Sequence, residues 1–306
     1  MLAALIYSAR SRRTRKDTSL PARVLTALPA TSRSYGTQTL AEMREALTNC
    51  RASDVDTLFV LGGDGTHRLA LDAAIAAYGE APLPRVRFLR GGTMNTVCNA
   101  LGLPHAQPEE LARIAVLGRA QEVQRPLLRV QSDTGVHHGF LFGTGVMYRF
   151  LEHYERSGDP TPLEGARTLG AVLAECIGLS STAILARDAV AVTVGQGASR
   201  TYEAFTVGAA TVDQIGLGFK PFHGAQAQSD AFRAMVLHGD AWRIPACLPA
   251  VLRGLPFPSH IATEHLCDQM RIEGVTTPLH FMIDGDLQPP SNSLAISLGP
   301  DLRLLV

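Results

Sequence analysis

The chain has 306 residues, 46% hydrophobic and 18% charged, with 28 basic and 28 acidic side chains and a formal net charge of zero. That length exceeds one ordinary domain and supplies apolar residues for two cores, while the charge balance excludes a global field for nucleic-acid binding. Its cysteines (Cys50, Cys98, Cys176, Cys247 and Cys267) are scattered, odd in number and without Cys-x-x-Cys spacing, which excludes a disulfide framework or zinc site and fits a reducing compartment.

Residues 2–7 are predicted as a first strand. The apolar stretch precedes its basic residues, the reverse of a secretory signal, and is too short to span a membrane. It runs into Arg10, Arg12, Arg13, Arg15 and Lys16, five basic residues in seven positions. Two readings stay open: a solvated basic loop, or a loop that meets polyphosphate or an anionic membrane, worth about 1 kcal/mol per basic residue near such a surface. Residues 23–28 are predicted as a second strand, and 39–50 as an amphipathic helix with Leu40, Met43 and Leu47 inward.

The apolar run at 58–61 reads as a short buried strand and ends in Gly62-Gly63-Asp64-Gly65-Thr66. Leu69, Ala70, Leu71, Ala73, Ala74, Ile75 and Ala77 then suit a helix. Glycines allow positive φ and close backbone approach, and a helix N-terminus adds unpaired N–H groups and a positive dipole end, which suits a phosphate. An ordinary tight turn is the plainer alternative, but the whole pentapeptide at a strand-to-helix junction favours function. Pro82 and Pro84 break the chain before a strand at 86–89, which delivers a second turn, Arg90-Gly91-Gly92-Thr93-Met94-Asn95, and a helix at 96–101. Alternating strands and helices imply a mostly parallel sheet with ligands at the carboxyl ends of its strands.

Around Val123 the texture changes. Helices are predicted at 146–156, 163–179 and 244–253. Strands are predicted at 127–131, 137–142, 189–194, 202–209, 234–238, 270–273, 279–283, 294–298 and 302–306. The fold class expected is an N-terminal α/β domain, 1–123, and a mainly β antiparallel sandwich, 124–306. The most apolar long stretch, 171–186, is interrupted by Glu175 and falls short of a span, so the protein is expected to be cytoplasmic, peripheral to a membrane at most. Near the end, Asp284-Gly285-Asp286 follows a strand. A hairpin turn explains Asp-Gly by itself, while two carboxylates two apart can serve a hard cation or supply a base, and the two readings are equally open.

Together, Gly62-Gly63-Asp64-Gly65-Thr66, Gly92-Thr93-Met94-Asn95 and Asp284-Gly285-Asp286 resemble, in order and spacing, the diacylglycerol kinase catalytic family, with its bacterial lipid kinases, sphingosine kinases and ceramide kinases. The resemblance implies a nucleotide-binding domain related to phosphofructokinase and NAD kinase, a C-terminal β-sandwich, and ATP with Mg²⁺ in the cleft between them. It implies that Gly62, Gly63, Asp64, Gly65 and Thr66 hold the phosphates and that Gly92, Thr93 and Asn95 complete the nucleotide site. Asp284 becomes the leading candidate for base or metal contact, with Asp64 its rival as base and Asp286 beside it at the metal.

The chain also departs from the family. The usual Asn-Pro-x-Ser-Gly is Ser8-Ala9-Arg10-Ser11-Arg12 here, so arginine, Arg12 above all, takes that phosphate contact. Asp286 stands where glutamate is usual. Only Asp230 remains of a structural Mg²⁺ motif, so that second metal site is expected to be absent. The function expected is phosphoryl transfer from ATP to a lipid hydroxyl. The partners expected are a lipid substrate and a membrane surface, with no nucleic acid. An NAD kinase-like enzyme and a non-catalytic nucleotide-binding regulator are the alternatives.

Overall fold

A computed structural model describes residues 2–93, 95–156, 161–216 and 218–306. The chain divides into two compact units: one runs to Arg125 and takes back Asp301–Val306, and the other is Pro126–Pro300.

The first unit contains β1 (Ala3–Ser8), α1 (Arg12–Lys16), α2 (Leu20–Thr26), β2 (Arg33–Thr37), α3 (Leu40–Ala52), β3 (Thr57–Gly62), α4 (Asp64–Tyr78), β4 (Arg85–Arg90), α5 (Thr96–Ala100) and α6 (Pro108–Val116). Strand order is β2-β1-β3-β4, all parallel. Ala3, Leu5, Phe59, Leu61 and Leu89 pack one face of this sheet on Leu20, Val24, Leu111 and Ala112 of α2 and α6. Strands buried on both faces read as unbroken apolar runs, which is why β3 is legible as Leu58-Phe59-Val60-Leu61. The predicted strand at 23–28 is instead α2. Pro21 starts it, and Leu20 and Val24 are buried four residues apart. The strand beside β1 is β2, an edge strand with mostly exposed side chains and so without an apolar signal.

The second unit begins within β5 (Glu122–Ser132) and continues through β6 (Gly135–Gly139), β7 (Leu141–Thr144), α7 (Val146–Arg156), α8 (Pro162–Cys176), β8 (Asp188–Val194), β9 (Arg200–Ala204), β10 (Thr206–Ala210), β11 (Phe232–Leu237), α9 (Ile244–Leu252), β12 (Ala262–Cys267), β13 (Gln269–Gly274), β14 (Leu279–Ile283), β15 (Asp286–Ser291) and β16 (Ser293–Leu305). One of its sheets has the order β16-β13-β8-β9, with β5 beside β16 and β6 beside β5; the other has the antiparallel order β12-β11-β10-β7-β14-β15. Leu128, Val190, Ile272 and Leu294 of the first meet Phe142, Val207, Phe232 and Phe281 of the second in one core, the sandwich arrangement.

Two predicted strands split because the chain changes sheets within them. Residues 137–142 divide into β6 and β7, and residues 202–209 into β9 and β10. The predicted strands at 294–298 and 302–306 fuse into β16, whose end pairs parallel with β4 through Leu304 and Val86. Asp301–Val306, grouped with the second domain by texture, therefore lie in the first unit.

Candidate functional site

The two glycine-rich turns of the first unit are in backbone contact. β3 ends at Gly62, Gly63 is extended, and α4 starts at Asp64, ahead of the apolar pattern that begins at Leu69. Gly91 N–H donates to Gly62 O at 2.7 Å. A Cβ on Gly91 would lie 2.8 Å from Gly62 Cα, and one on Gly92 would lie 2.6 Å from Gly63 Cα. These glycines are small because another backbone occupies the space. The first N–H of α4 to reach a carbonyl outside the helix is that of His67, to Gly63 O at 3.0 Å. The N–H groups of the turn before it stay outside the ladder, at the positive end of a fifteen-residue helix. Gly63, Asp64, Gly65 and Thr66 are all half-buried, within reach of a ligand.

Asp64 locks the turns together. Its Oδ2 accepts Thr96 N–H at 2.9 Å and its Oδ1 accepts Val97 N–H at 3.0 Å, so it caps α5 from another segment. Burial pushes its carboxyl above the ordinary range, against those two N–H bonds, which favour the charged form. Asn95 has a left-handed backbone (φ 48°) and folds onto Gly92, accepting its N–H at 3.1 Å and donating to its carbonyl at 3.0 Å. The basic segment joins the same place. Arg13 N–H donates to Gly91 O at 3.1 Å, and Arg12 Nη1 reaches Thr93 Oγ1 at 3.5 Å. It is a short helix, α1, with Thr14 buried and Arg10, Arg15 and Lys16 exposed. Segments following β1, β3 and β4 thus converge at the carboxyl ends of parallel strands, where such sheets bind ligands. Met94 of the second turn lies outside the described residues.

In the second unit Asp284 (φ 52°) and Gly285 (φ 80°) form a hairpin turn between β14 and β15, both with the positive φ of a type I′ turn. The hairpin reading and the carboxylate reading both have content here. Asp284 is 1% exposed. Its Oδ1 accepts Phe140 N–H and Leu141 N–H, each at 2.9 Å, and its Oδ2 accepts Phe140 N–H at 3.1 Å. Those are the N–H groups at the point where the chain leaves β6 for β7 in the other sheet. Gly139 makes room, since a Cβ there would stand 2.6 Å from Asp284 Oδ2. Asp286 is half-buried, and its Oδ2 accepts Gln288 Nε2 at 3.0 Å. Partial burial, and then the charge of Asp286, raise the carboxyl of Glu155 on α7, although its side chain stays open to solvent.

Residues 3–125 match the family model of the diacylglycerol kinase catalytic domain. Over this segment the chain is similar to the diacylglycerol kinase catalytic-domain family. Across the whole chain, the fold is similar to the crystal structure of a diacylglycerol kinase from Bacillus anthracis str. Sterne, with a TM-score of 0.65 and 17% identity over 99% of this chain and 96% of that one. Two further structures from that strain give TM-scores of 0.73 and 0.68, each at 16% identity over 98% of this chain and 96% of the other. No curated protein matches the chain. Among the described residues, no helix is long and apolar enough to cross a membrane.

The kinase family implies ATP and a divalent metal. Among the described residues, no three His, Cys, Asp or Glu side chains gather as a cation site. Asp64 and Asp284 give oxygens to backbone N–H groups, and Asp284 has no exposed face for a cation. This donor set does not fit a Mg²⁺ ion caged by protein carboxylates, whose octahedral shell needs several oxygens at about 2.0–2.1 Å. Of the two aspartates expected at a metal, Asp284 faces inward and Asp286 is half-buried.

Two residues of this segment have contacts that the sequence does not reveal. Arg90, 7% exposed, donates to Asn99 Oδ1 and Leu103 O, both at 2.6 Å, and to Pro104 O at 3.3 Å, holding the chain beyond α5. His67, fully buried, lies 3.3 Å from Leu89 O through Nε2, and its ring packs at a tilt against Phe88, 4.7 Å between centres. Burial lowers its pKa to about 4. A histidine next to the Gly-Gly-Asp-Gly-Thr turn is visible in the sequence, but its burial is not.

Proposed function

We propose that this protein transfers the γ-phosphoryl group of ATP to a hydroxyl of a lipid such as diacylglycerol or a sphingoid or ceramide lipid. The observation that carries the reading is the fusion of two glycine-rich turns through Gly62, Gly63, Gly91 and Gly92, with Asp64 bridging to α5, in a segment of a kinase family. Phosphoryl transfer asks for fixed phosphates and neutralised charge more than for covalent chemistry.

On this reading the open N–H groups of Gly65 and Thr66 and the start of α4 bind the phosphates, and Arg12 adds charge beside Thr93. Asp64 keeps the two turns in register. Asp284 holds the turn that presents Asp286, and Asp286 accepts the proton of the lipid hydroxyl. Any Mg²⁺ enters on the nucleotide. The protein acts at a membrane surface from the cytoplasmic side, and its working division is an α/β nucleotide domain followed by a β-sandwich lipid domain.

A non-catalytic nucleotide-binding regulator is the second reading, favoured by the inward seating of both motif aspartates. Radiolabelled ATP supplied with diacylglycerol, sphingosine, ceramide and NAD separates the readings. Labelled lipid product supports the proposal, and labelled NAD replaces it with the soluble-substrate kinase. ATP binding without any product leaves the regulator.

A further inference from the structure

Apolar side chains of the second unit stand exposed on α8, α9 and the turns beside them. Leu163 is 60% exposed, Ile177 57%, Leu179 78%, Trp242 62%, Leu252 44% and Leu255 51%. α8 packs against both α9 and the turn that carries Trp242, so these three elements adjoin. The α9 sequence, Ile244-Pro-Ala-Cys-Leu-Pro-Ala-Val-Leu252, has no charged side chain, yet only Ile244 and Val251 are buried. A helix that is apolar on all sides belongs in a core or against lipid, and this one is only partly covered by its own chain.

Along the stretch that carries α9 the charges have one sign. From Ala241 to Thr263 the sequence has Arg243 and Arg253 and no Asp or Glu. Lys220 N–H donates to Val251 O at 3.2 Å, and its stem runs 3.7 Å from where a Cβ on Gly254 would stand, which sets it beside Arg253. The guanidinium of Arg243 lies 4.7 Å from the centre of the Trp242 ring, and its contact with Asp240 is an exposed pair at 3.4 Å. Trp, Arg and Lys combine an apolar body with a polar end and suit the boundary between acyl chains and headgroups.

We propose that this face docks on an anionic lipid surface, with Trp242, Leu252 and Leu255 entering the interface and Lys220, Arg243 and Arg253 meeting lipid phosphates. It gives the lipid-kinase reading its membrane contact and rests on that reading for which lipid is presented there. Anionic headgroups match the basic groups of Lys220, Arg243 and Arg253 together with the apolar centre.

Trp242 is the chain's single tryptophan, so its emission reports this face alone. The full chain is titrated, without nucleotide, with vesicles of phosphatidylcholine and with vesicles also containing phosphatidylglycerol. The expected result is a blue shift and co-flotation with the anionic vesicles, weakened about tenfold or more by 0.5 M salt. Leu252→Glu with Leu255→Glu, and separately Lys220→Glu with Arg253→Glu, should each weaken binding about tenfold or more while leaving Tm unchanged. Absence of any shift overturns the proposal, as does equal, salt-independent binding to neutral vesicles. A concentration-dependent shift without vesicles, with a doubled sedimenting mass, also overturns it and assigns the face to a second copy. Phosphorylation of detergent-dispersed lipid is measured alongside. Its loss with vesicle binding intact breaks the kinase reading alone, and the converse breaks the docking proposal alone.

Discussion

The glycine-rich turns of the first unit and the Asp-Gly-Asp turn of the second both use an aspartate to collect backbone N–H groups, but to different ends. Asp64 reaches from one turn to the start of α5 and stays half-buried beside a helix end with N–H groups to spare. Asp284 sits inside a hairpin and takes the N–H groups of a chain changing sheets, with 1% of its surface exposed. The same residue type therefore organises a half-buried turn in one place and stitches two sheets in the other. Charge-assisted bonds to backbone N–H are strong in both settings, so the difference lies in what remains accessible.

The largest effect should follow from Asp64→Asn, which keeps the shape but loses the charge bridging the turns. We expect phosphoryl transfer to fall by on the order of 10³-fold. Near-native turnover would reduce Asp64 to a purely structural residue. His67 tests the stability of the glycine-turn region. Its folded pKa, about 4, lies below the ordinary 6.5. Stability from this group is therefore full above about pH 6.5 and is lost as pH falls toward 4, by about 3 kcal/mol. Denaturant melts at pH 7 and pH 4 read this loss, and His67→Gln should flatten the difference; an unchanged slope in the variant would dismiss the histidine as its source.

Gly92→Ala probes the backbone contact itself, because a Cβ there meets Gly63 Cα at 2.6 Å. Displacing the turn should cost about 10²-fold in turnover, with ATP affinity measured by calorimetry falling in parallel. An active alanine variant would mean that the turns can part without consequence. The sharpest contrast is between neighbours. Asp284→Asn should lower stability by about 2 kcal/mol, since the buried amide still packs but loses charged acceptors. Asp286→Asn should leave Tm within about 1 °C, because it sits at a half-exposed position, while kcat drops. Equal loss of Tm in both would erase the distinction between stitching and presenting residues.

Much of the first unit was legible because parallel strands covered on both faces are unbroken apolar runs ending in glycine. The 58–61 run and the turn after it stand out for that reason, while 86–89, interrupted by Arg87, is marked by the glycine turn that follows it. β2 was not legible, since an edge strand of Arg33-Ser34-Tyr35-Gly36-Thr37 buries little. In the second unit, apolar texture continues across Phe140 and Phe205, so nothing local marks the points where the chain changes sheets. The hairpin value of Asp-Gly at Asp284 was readable from turn chemistry. Its partners, Phe140 and Leu141, lie 144 and 143 residues away and depend on tertiary structure alone. β15, with Pro289 and Pro290, lacks a strand signal because proline removes ladder donors, which only an edge strand tolerates.

The return of Asp301–Val306 to the first unit makes the order of synthesis matter. Until those residues leave the ribosome, β4 lacks the strand that pairs Val86 with Leu304, and the guanidinium of buried Arg87 lacks the Leu305 carbonyl it binds. The intervening Pro126–Pro300 takes roughly 10–35 s to translate at about 5–20 residues per second. Throughout that interval the nascent sheet carries an open edge, the kind of surface that recruits other strands. Residues 3–125, although they hold the whole family match, are therefore a poor fragment to express alone: the piece that closes their sheet is made only after Pro126–Pro300.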